Sequence, residues 1–300
     1  MKSRNPAPHI YNLYKPARCG SFDLVRDFKR RLGREHKRVG HFGTLDPFAC
    51  GVLLVGVNGA ARLNDLIHAE LPKTYLAVGK LGVQTRTGDW EGELLQSDQS
   101  DYSRTVIARF EGSFLQERFA AKFLGDYWQA PPIFSAAKHE GKRLHEWARE
   151  GVEIKKEPVR RLIHRLQVVR YSYPYLSVRV TVSSGTYVRV LFEDLAQELG
   201  TIGSLIALRR ESIGPLRVED SQSLGSAELT PLLPEDVLRF PRIDLPESRT
   251  KAFLNGLPSR LEGGPTSRYA WVIGPDRTNW GLAEAVSDEW KTRINFRAAL

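Results

Sequence analysis

The sequence has little of several things that whole classes of protein depend on. Its 300 residues include only two cysteines, Cys19 and Cys50, which form neither a CxxC pair nor a metal-site spacing. A disulfide framework and a cysteine-built zinc centre are therefore set aside, and a reducing cytoplasm is the expected location. The seven histidines are scattered and no HExxH occurs, which removes the usual route to zinc catalysis. No GxxxxGKS or GxxxxGKT loop is present to anchor nucleotide phosphates. No apolar stretch approaches the ~20 residues that span a bilayer. The opening MKSRNPAPHIYNLYKP has basic residues but neither an apolar core nor a small-residue cleavage site, so it does not read as a secretory signal.

What the sequence has in excess is positive charge. Lysine plus arginine number 44 against 35 aspartate plus glutamate, a net charge of +9, and the pI is near 9.6. The excess is clustered: Arg26 to Arg38 carries seven basic residues against two acids, a second basic run extends from Lys155 to Arg170, and KHEGKR lies between them. Separated basic patches suit a phosphate backbone, which rewards several contacts at once. A membrane surface fits less well, because no amphipathic segment carries a large aromatic face.

Periodicity gives the organisation. HIYNLY, residues 9 to 14, reads as a strand followed by a Lys15-Pro16 turn. Ser21 is placed to cap a helix whose apolar positions are Phe22, Val25, Phe28 and Leu32, ended by Gly33. GVLLVGV reads as a buried strand, Ala60 to His68 as a short helix stopped before Pro72, and TYLAVGKLGV as another strand. Leu144 to Glu150 is expected to be helical. LQVVRYSYPYLSVRVTVSSG holds two strands around a Tyr-Pro turn, and YVRVLFEDLAQELG is a helix ended by Gly200. Strands mixed with scattered helices give an α+β protein. Near Phe240 the chain turns proline-containing and poor in apolar residues; beyond it YAWVIG and TNWGLAEA read as strands of a small β-rich module.

The chemistry centres on HFGTLDPFACGVLLVGV, where Asp46 sits between a glycine-containing turn and proline. Asp-Pro by itself can simply start a turn. A lone carboxylate can also serve as nucleophile or base if a cation keeps it ionised. Arg189 in SSGTYVR, just past a strand–Gly–Thr turn, is a candidate cation, although spacing alone favours a surface arginine. Tyr75 alternates with Leu76 and Val78, which puts it on the opposite face of its strand; it reads as core packing or as a platform for a nucleobase.

Seven blocks, in order, carry a resemblance to a family. They are YKP at Tyr14 to Pro16, GHFGTLDPFACGVLLVGVNGAARL at Gly40 to Leu63, KTY at Lys73 to Tyr75, and TRTGDWEG at Thr85 to Gly92. PPIFSAAKHEGKRLHEWAREG at Pro131 to Gly151, SSGTYVRVLFEDLAQELG at Ser183 to Gly200, and ALRR at Ala207 to Arg210 complete the set. Together the sequence resembles the TruB family of tRNA pseudouridine synthases over most of residues 10 to 215.

The resemblance implies a pseudouridine synthase fold, with a central mixed, mainly antiparallel sheet flanked by helices over residues 1–240. Residues 241–300 would form a short PUA-like RNA-binding module, a looser match. It implies isomerisation of uridine 55 in the tRNA T loop by a monomer, without cofactor, metal or membrane. Asp46 would attack the target nucleotide, Arg189 would pair with that carboxylate, and Tyr75 would stack on the base and take the proton from carbon 5. Leu208 would line the base pocket and His41 would fill the vacated stack. Lys15, Gly43, Thr44 and Lys138 would also contact substrate. The chain departs from the family pattern at Arg18, where glycine is usual, at Arg86, where aspartate is common, and at His145, which replaces a frequent tyrosine. The competing readings are an enzyme directed by a guide RNA and a non-catalytic RNA-binding or RNA-folding protein of the same fold.

Overall fold

The computed structural model describes residues 7–33, 38–256 and 265–297. Its first strands and helices are β1 (His9–Lys15), α1 (Ser21–Leu32), β2 (Val39–His41), β3 (Cys50–Val57), α2 (Asn64–Glu70) and β4 (Lys73–Leu81). Next come β5 (Val83–Thr85), β6 (Leu94–Ser97), α3 (Asp101–Thr105), α4 (Gly112–Phe123) and β7 (Gly125–Gln129). They are followed by β8 (Lys138–His139), β9 (Lys142–Arg143), α5 (Leu144–Arg149), β10 (Val159–Ser172), β11 (Tyr175–Val182), α6 (Val188–Glu198), β12 (Gly203–Ile213) and β13 (Leu216–Arg217). The C-terminal strands are β14 (Arg242–Asp244), β15 (Tyr269–Ile273), β16 (Asn279–Val286) and β17 (Glu289–Asn295).

The main sheet runs β1-β3-β12-β4-β11-β10-β7, with β2 on β3 and β13 on β12. It is mixed and mainly antiparallel, because β3 and β12 alone pair in parallel, over Arg209–Cys50 and Arg210–Gly51. That splice needs a glycine: Gly51 has φ +113, and a Cβ there would lie 2.2 Å from the carbonyl oxygen of Arg210.

β3 is apolar on both faces because it separates two cores. Val52 and Leu54 join one with Ile10, Phe42 and Leu63, while Leu53, Val55 and Val57 pack on Leu24, Val25 and Phe28 of α1. In β4 the alternation is strict, but the buried face is the one carrying Lys73 and Tyr75, whereas Leu76 and Val78 are half-buried. The third and largest core lies on that face, under α4 and α6.

Helix α1 differs from its expected pattern. Its buried stripe is Ser21, Leu24, Val25 and Phe28, and Phe22 is 72% exposed. Gly20 holds the cap position and no side chain caps the helix. Ser21 faces inward instead, its hydroxyl donating to the Leu45 carbonyl and accepting from the Leu45 N–H, both at 2.9 Å. This placement turns Phe22 about 100° away from the core. The stretch expected as a helix from Ala60 opens as a 3₁₀ turn, Asn58–Leu63, and continues as α2. β10 starts at Val159, earlier than the sequence pattern indicates, so much of the second basic run lies on a strand.

The four-stranded sheet β14-β15-β16-β17 is joined closely to the rest. Trp271, Leu282, Ile294 and Phe296 pack in the same core as Ile10, Phe42 and Leu54. Phe240, at the expected joint, lies 5.3 Å from Tyr269 and 6.0 Å from Trp271, ring to ring. The change in composition therefore marks a packed connection, held by aromatic contacts. Among the described residues no helix is long and apolar enough to cross a membrane, and no group of His, Cys, Asp or Glu is arranged to hold a metal ion.

Candidate active site

Asp46 stands on the loop between β2 and β3, at the wall of a 310 Å³ cavity shared with Tyr75, Arg189, Leu208, His41, Gly43 and Thr44. The loop is fixed from several sides. Ser21 holds Leu45 as described, and Asp46 accepts from the Ala49 N–H through its own carbonyl. Lys15 donates to the carbonyls of Pro16, Pro47 and Ala49 at 2.9, 3.3 and 2.6 Å. Lys15 is fully buried and outside the cavity lining. All three of its donors are engaged, which makes Lys15 a brace under the aspartate loop. Burial also lowers its pKa.

Arg189 lies in the first turn of α6, with its side chain 5% exposed, and reaches across 143 residues of sequence. Its Nε donates to Asp46 Oδ2 at 2.9 Å and Nη2 approaches Oδ1 at 3.4 Å. The remaining donors go to the carbonyls of Phe134, at 2.9 Å, and Thr87. This planar fork fixes the carboxylate in orientation as well as charge. A second acid, Asp89, has Oδ2 3.8 Å from Nε and accepts from Thr87 Oγ1 and the Glu91 N–H.

Tyr75 is 7% exposed on β4, and its hydroxyl faces Arg210 Nη1 at 3.5 Å. Arg210 is fully buried. It donates to the carbonyls of Val52, Gly43 and Thr44 at 2.7, 3.1 and 3.4 Å, tying the aspartate loop to β12, where Arg210 pairs opposite Tyr75 of β4. Leu208 pairs opposite Ala77 and supplies apolar wall. His41 lines the cavity, and its buried Nδ1 has no partner among the described residues. Burial first, then Arg210, Arg143 and Lys73, lowers its pKa and favours neutral imidazole. Lys138 stands exposed on the β8–β9 hairpin, outside the cavity lining.

The structure thus brings Asp46, Tyr75, Arg189, His41, Gly43, Thr44 and Leu208 to one cavity, and places Lys15 and Lys138 elsewhere. Sequence reasoning assigned no role to Arg210, Lys73 or Ser184, and read Ser21 only as a helix cap. Arg210 and Lys73 stand inside the quoted blocks ALRR and KTY, and Lys73 shares the inward face of β4 with Tyr75. That alternation was an available signal for Lys73.

The departures have structural settings. Arg18 adopts φ +61 and lies 5.7 Å above the Trp90 ring. Arg86 pairs with Glu153 at 3.2 Å. His145 Nδ1 meets the Ser135 carbonyl at 2.9 Å, which makes that nitrogen the donor. The basic face of α1 is partly committed within the protein: Arg26 and Arg30 pair with Asp23 and Asp27, and Arg31 donates to carbonyls including Ala227 at 2.8 Å. The rest of that run, residues 34–37, lies outside the described residues.

Comparison with known proteins bears on the family and the fold. Residues 29–188 match the model of the TruB family pseudouridylate synthase N-terminal domain. The chain is 37% identical over 257 residues to tRNA pseudouridine synthase B of Thermotoga maritima, spanning 83% of this chain and 79% of that protein. With the same-named protein of Dehalococcoides mccartyi (strain 195), identity is 34% over 287 residues, spanning 89% and 92%. Among solved structures, an H/ACA RNP bound to a substrate RNA containing 2′-deoxyuridine aligns with TM-score 0.66 at 18% identity, covering 96% of this chain and 84% of that one. A Cbf5–Nop10–Gar1 complex aligns with TM-score 0.65 at 20% identity, covering 97% and 87%. At those identities the structures speak for the pseudouridine synthase fold alone. With the sequence relatives added, the chain belongs to the TruB family of pseudouridylate synthases.

Proposed function

We propose that this chain isomerises uridine 55 in the T loop of tRNA to pseudouridine, with Asp46 as the nucleophile. The observation that carries the reading is the carboxylate of Asp46 held by the buried fork of Arg189 beside an aromatic and an apolar wall. In the reaction the N1–C1′ bond breaks and a C5–C1′ bond forms. The C5 proton leaves and N1 is left carrying one, so no atom or electron is gained or lost. Asp46 initiates detachment either by attack at C1′ or through a glycal, and Tyr75 stacks on the base and accepts the C5 proton.

A stacked base is out of reach, so the target must be extruded at a cost of a few kcal/mol. His41, at the cavity wall with a neutral imidazole, fills the vacated stack and offsets part of that cost. Residues 1–240 act as the catalytic domain and residues 241–300 as a short RNA-binding module. Exposed basic side chains of α1 and β10 contact phosphates and set position without reading sequence.

The test uses unmodified tRNA transcript, purified protein and no guide RNA, with pseudouridine mapped by carbodiimide treatment and primer extension. Modification at the T-loop uridine that disappears in Asp46→Asn supports substrate and nucleophile together. No modification by the unsubstituted protein, despite salt-sensitive tRNA binding, would sink the unguided reading.

A further inference from the structure

At the wall of the same cavity lies a cluster to which the reaction as described gives no role. Lys73 is 4% exposed, yet it lines the cavity. Its ammonium donates to Ser184 Oγ at 2.8 Å, and the same oxygen is 2.8 Å from His68 Nδ1. Gly43 lies directly against it: a Cβ there would lie 2.7 Å from Lys73 Nζ and 3.5 Å from His68 Cε1, and its φ of +102 suits glycine.

Two buried lysines in this half of the molecule are bonded very differently. Lys15 gives all three of its donors to carbonyl oxygens. Lys73 has one acceptor, a hydroxyl, and no carboxylate pairs with it among the described residues. Its charged surroundings add to the imbalance, since Arg210 lies nearby and Asp65 alone counters the cations at His68. A buried cation with two unspent N–H donors calls for an acceptor of negative charge.

Resting on the pseudouridine synthase reading above, we propose that Lys73, with Ser184 and His68, forms a seat for a backbone phosphate flanking the target uridine. The span is right: Lys73 and Tyr75 are two residues apart on one face of β4, about 6.6 Å, so a base stacked on Tyr75 puts one of its neighbouring phosphates within reach of the ammonium. The chemistry is right as well, because a phosphate is rich in acceptors and carries the missing charge. Burial lowers the pKa of Lys73 to about 7 and that of His68 to about 4. A phosphate seated on the Lys73 ammonium would draw its value back up.

The test measures RNA binding in the Asp46→Asn background, where the RNA stays unmodified, using a T-arm stem-loop with either natural phosphates or one methylphosphonate at each position around the target. Turnover of the unsubstituted protein on the natural stem-loop, measured alongside, reports separately on the pseudouridine synthase reading. The expected result is that Lys73→Met weakens binding about tenfold at low salt and reduces the salt slope by about one. A methylphosphonate at one flanking position should weaken binding of the Lys73 protein by a similar factor and leave the Lys73→Met protein unaffected. Equal losses in both proteins at every neutralised position would overturn the proposal. So would a Lys73 protein indifferent to both flanking methylphosphonates, an outcome that needs no folded variant.

Discussion

Around the cavity, the buried side chains that stand out are charged: Arg189, Arg210, Lys73, Lys15 and Asp89. In the β14–β17 sheet they are Tyr269, Trp271, Leu282, Ile294 and Phe296, and even the indole N–H of Trp271 is satisfied, by the Leu238 carbonyl at 2.7 Å. Burying charge is unfavourable unless hydrogen bonds and counter-charges compensate. Burying large apolar surface contributes about 1.5–3 kcal/mol for each such side chain. The apolar sheet packs on Ile10, Phe42 and Leu54, whereas Leu45, Tyr75 and Leu208 of the cavity belong to a separate core. The difference separates residues that set rate from residues that set folding.

Substitutions can break that separation or sharpen it. The largest effect is expected from Asp46→Asn, with pseudouridine formation falling on the order of 10³-fold or more while tRNA affinity stays within a few fold; filter binding and single-turnover assays read the two. Tyr75→Phe should come next, keeping the stack and the affinity but losing most turnover. Loss of both in equal measure would contradict the division of labour assigned to its ring and hydroxyl. Arg189→Ala should cut the single-turnover rate by about 10²-fold, an electrostatic loss of the size seen when one oriented donor is removed. An unchanged rate would remove its role.

On the other side, Trp271→Ala should cost about 3–5 kcal/mol in urea unfolding with the rate per folded molecule preserved. If turnover collapsed in the folded fraction, the two regions would not be separable as described. The smallest effect concerns pH. Lys73 has a folded pKa near 7 against an ordinary 10.5, so between those values the unfolded chain binds the extra proton and stability rises with pH. Below 7 that gain is absent. The slope should approach about 1.4 kcal/mol per pH unit between pH 8 and 9, and Lys73→Met should flatten it. His68 adds the same sign between 4 and 6.5, opposed there by Glu193, whose pKa burial raises to about 7.

Much of the fold was legible because periodicity is local. β3, β4, α6, β15 and β16 each carry their own pattern, and all five form where that pattern places them. The ordered motif blocks likewise picked out residues that the cavity brings together. What stayed hidden were partnerships across long stretches of chain: Arg210 to Val52 spans 158 residues and Lys73 to Ser184 spans 111. No window of sequence contains both ends of such a bond. Ser21 shows a subtler failure, since a serine at a helix start reads as a cap when its hydroxyl is in fact bonded to Leu45. The setting of Lys15 was hidden for a related reason: only the carbonyls of a loop more than thirty residues away reveal that it is enclosed.

The parallel contact between β3 and β12 covers only Cys50, Gly51, Arg209 and Arg210. Mechanically, the nine-stranded sheet is two plates whose backbones meet in one short splice, reinforced by the side chains of Arg210 and Arg189, with the aspartate loop on one plate and Tyr75 on the other. The distance between the Asp46 carboxylate and the Tyr75 ring is therefore the opening of a pair of jaws, and the splice helps to set it. A side chain forced in at Gly51 would change that opening without touching any group that meets the substrate.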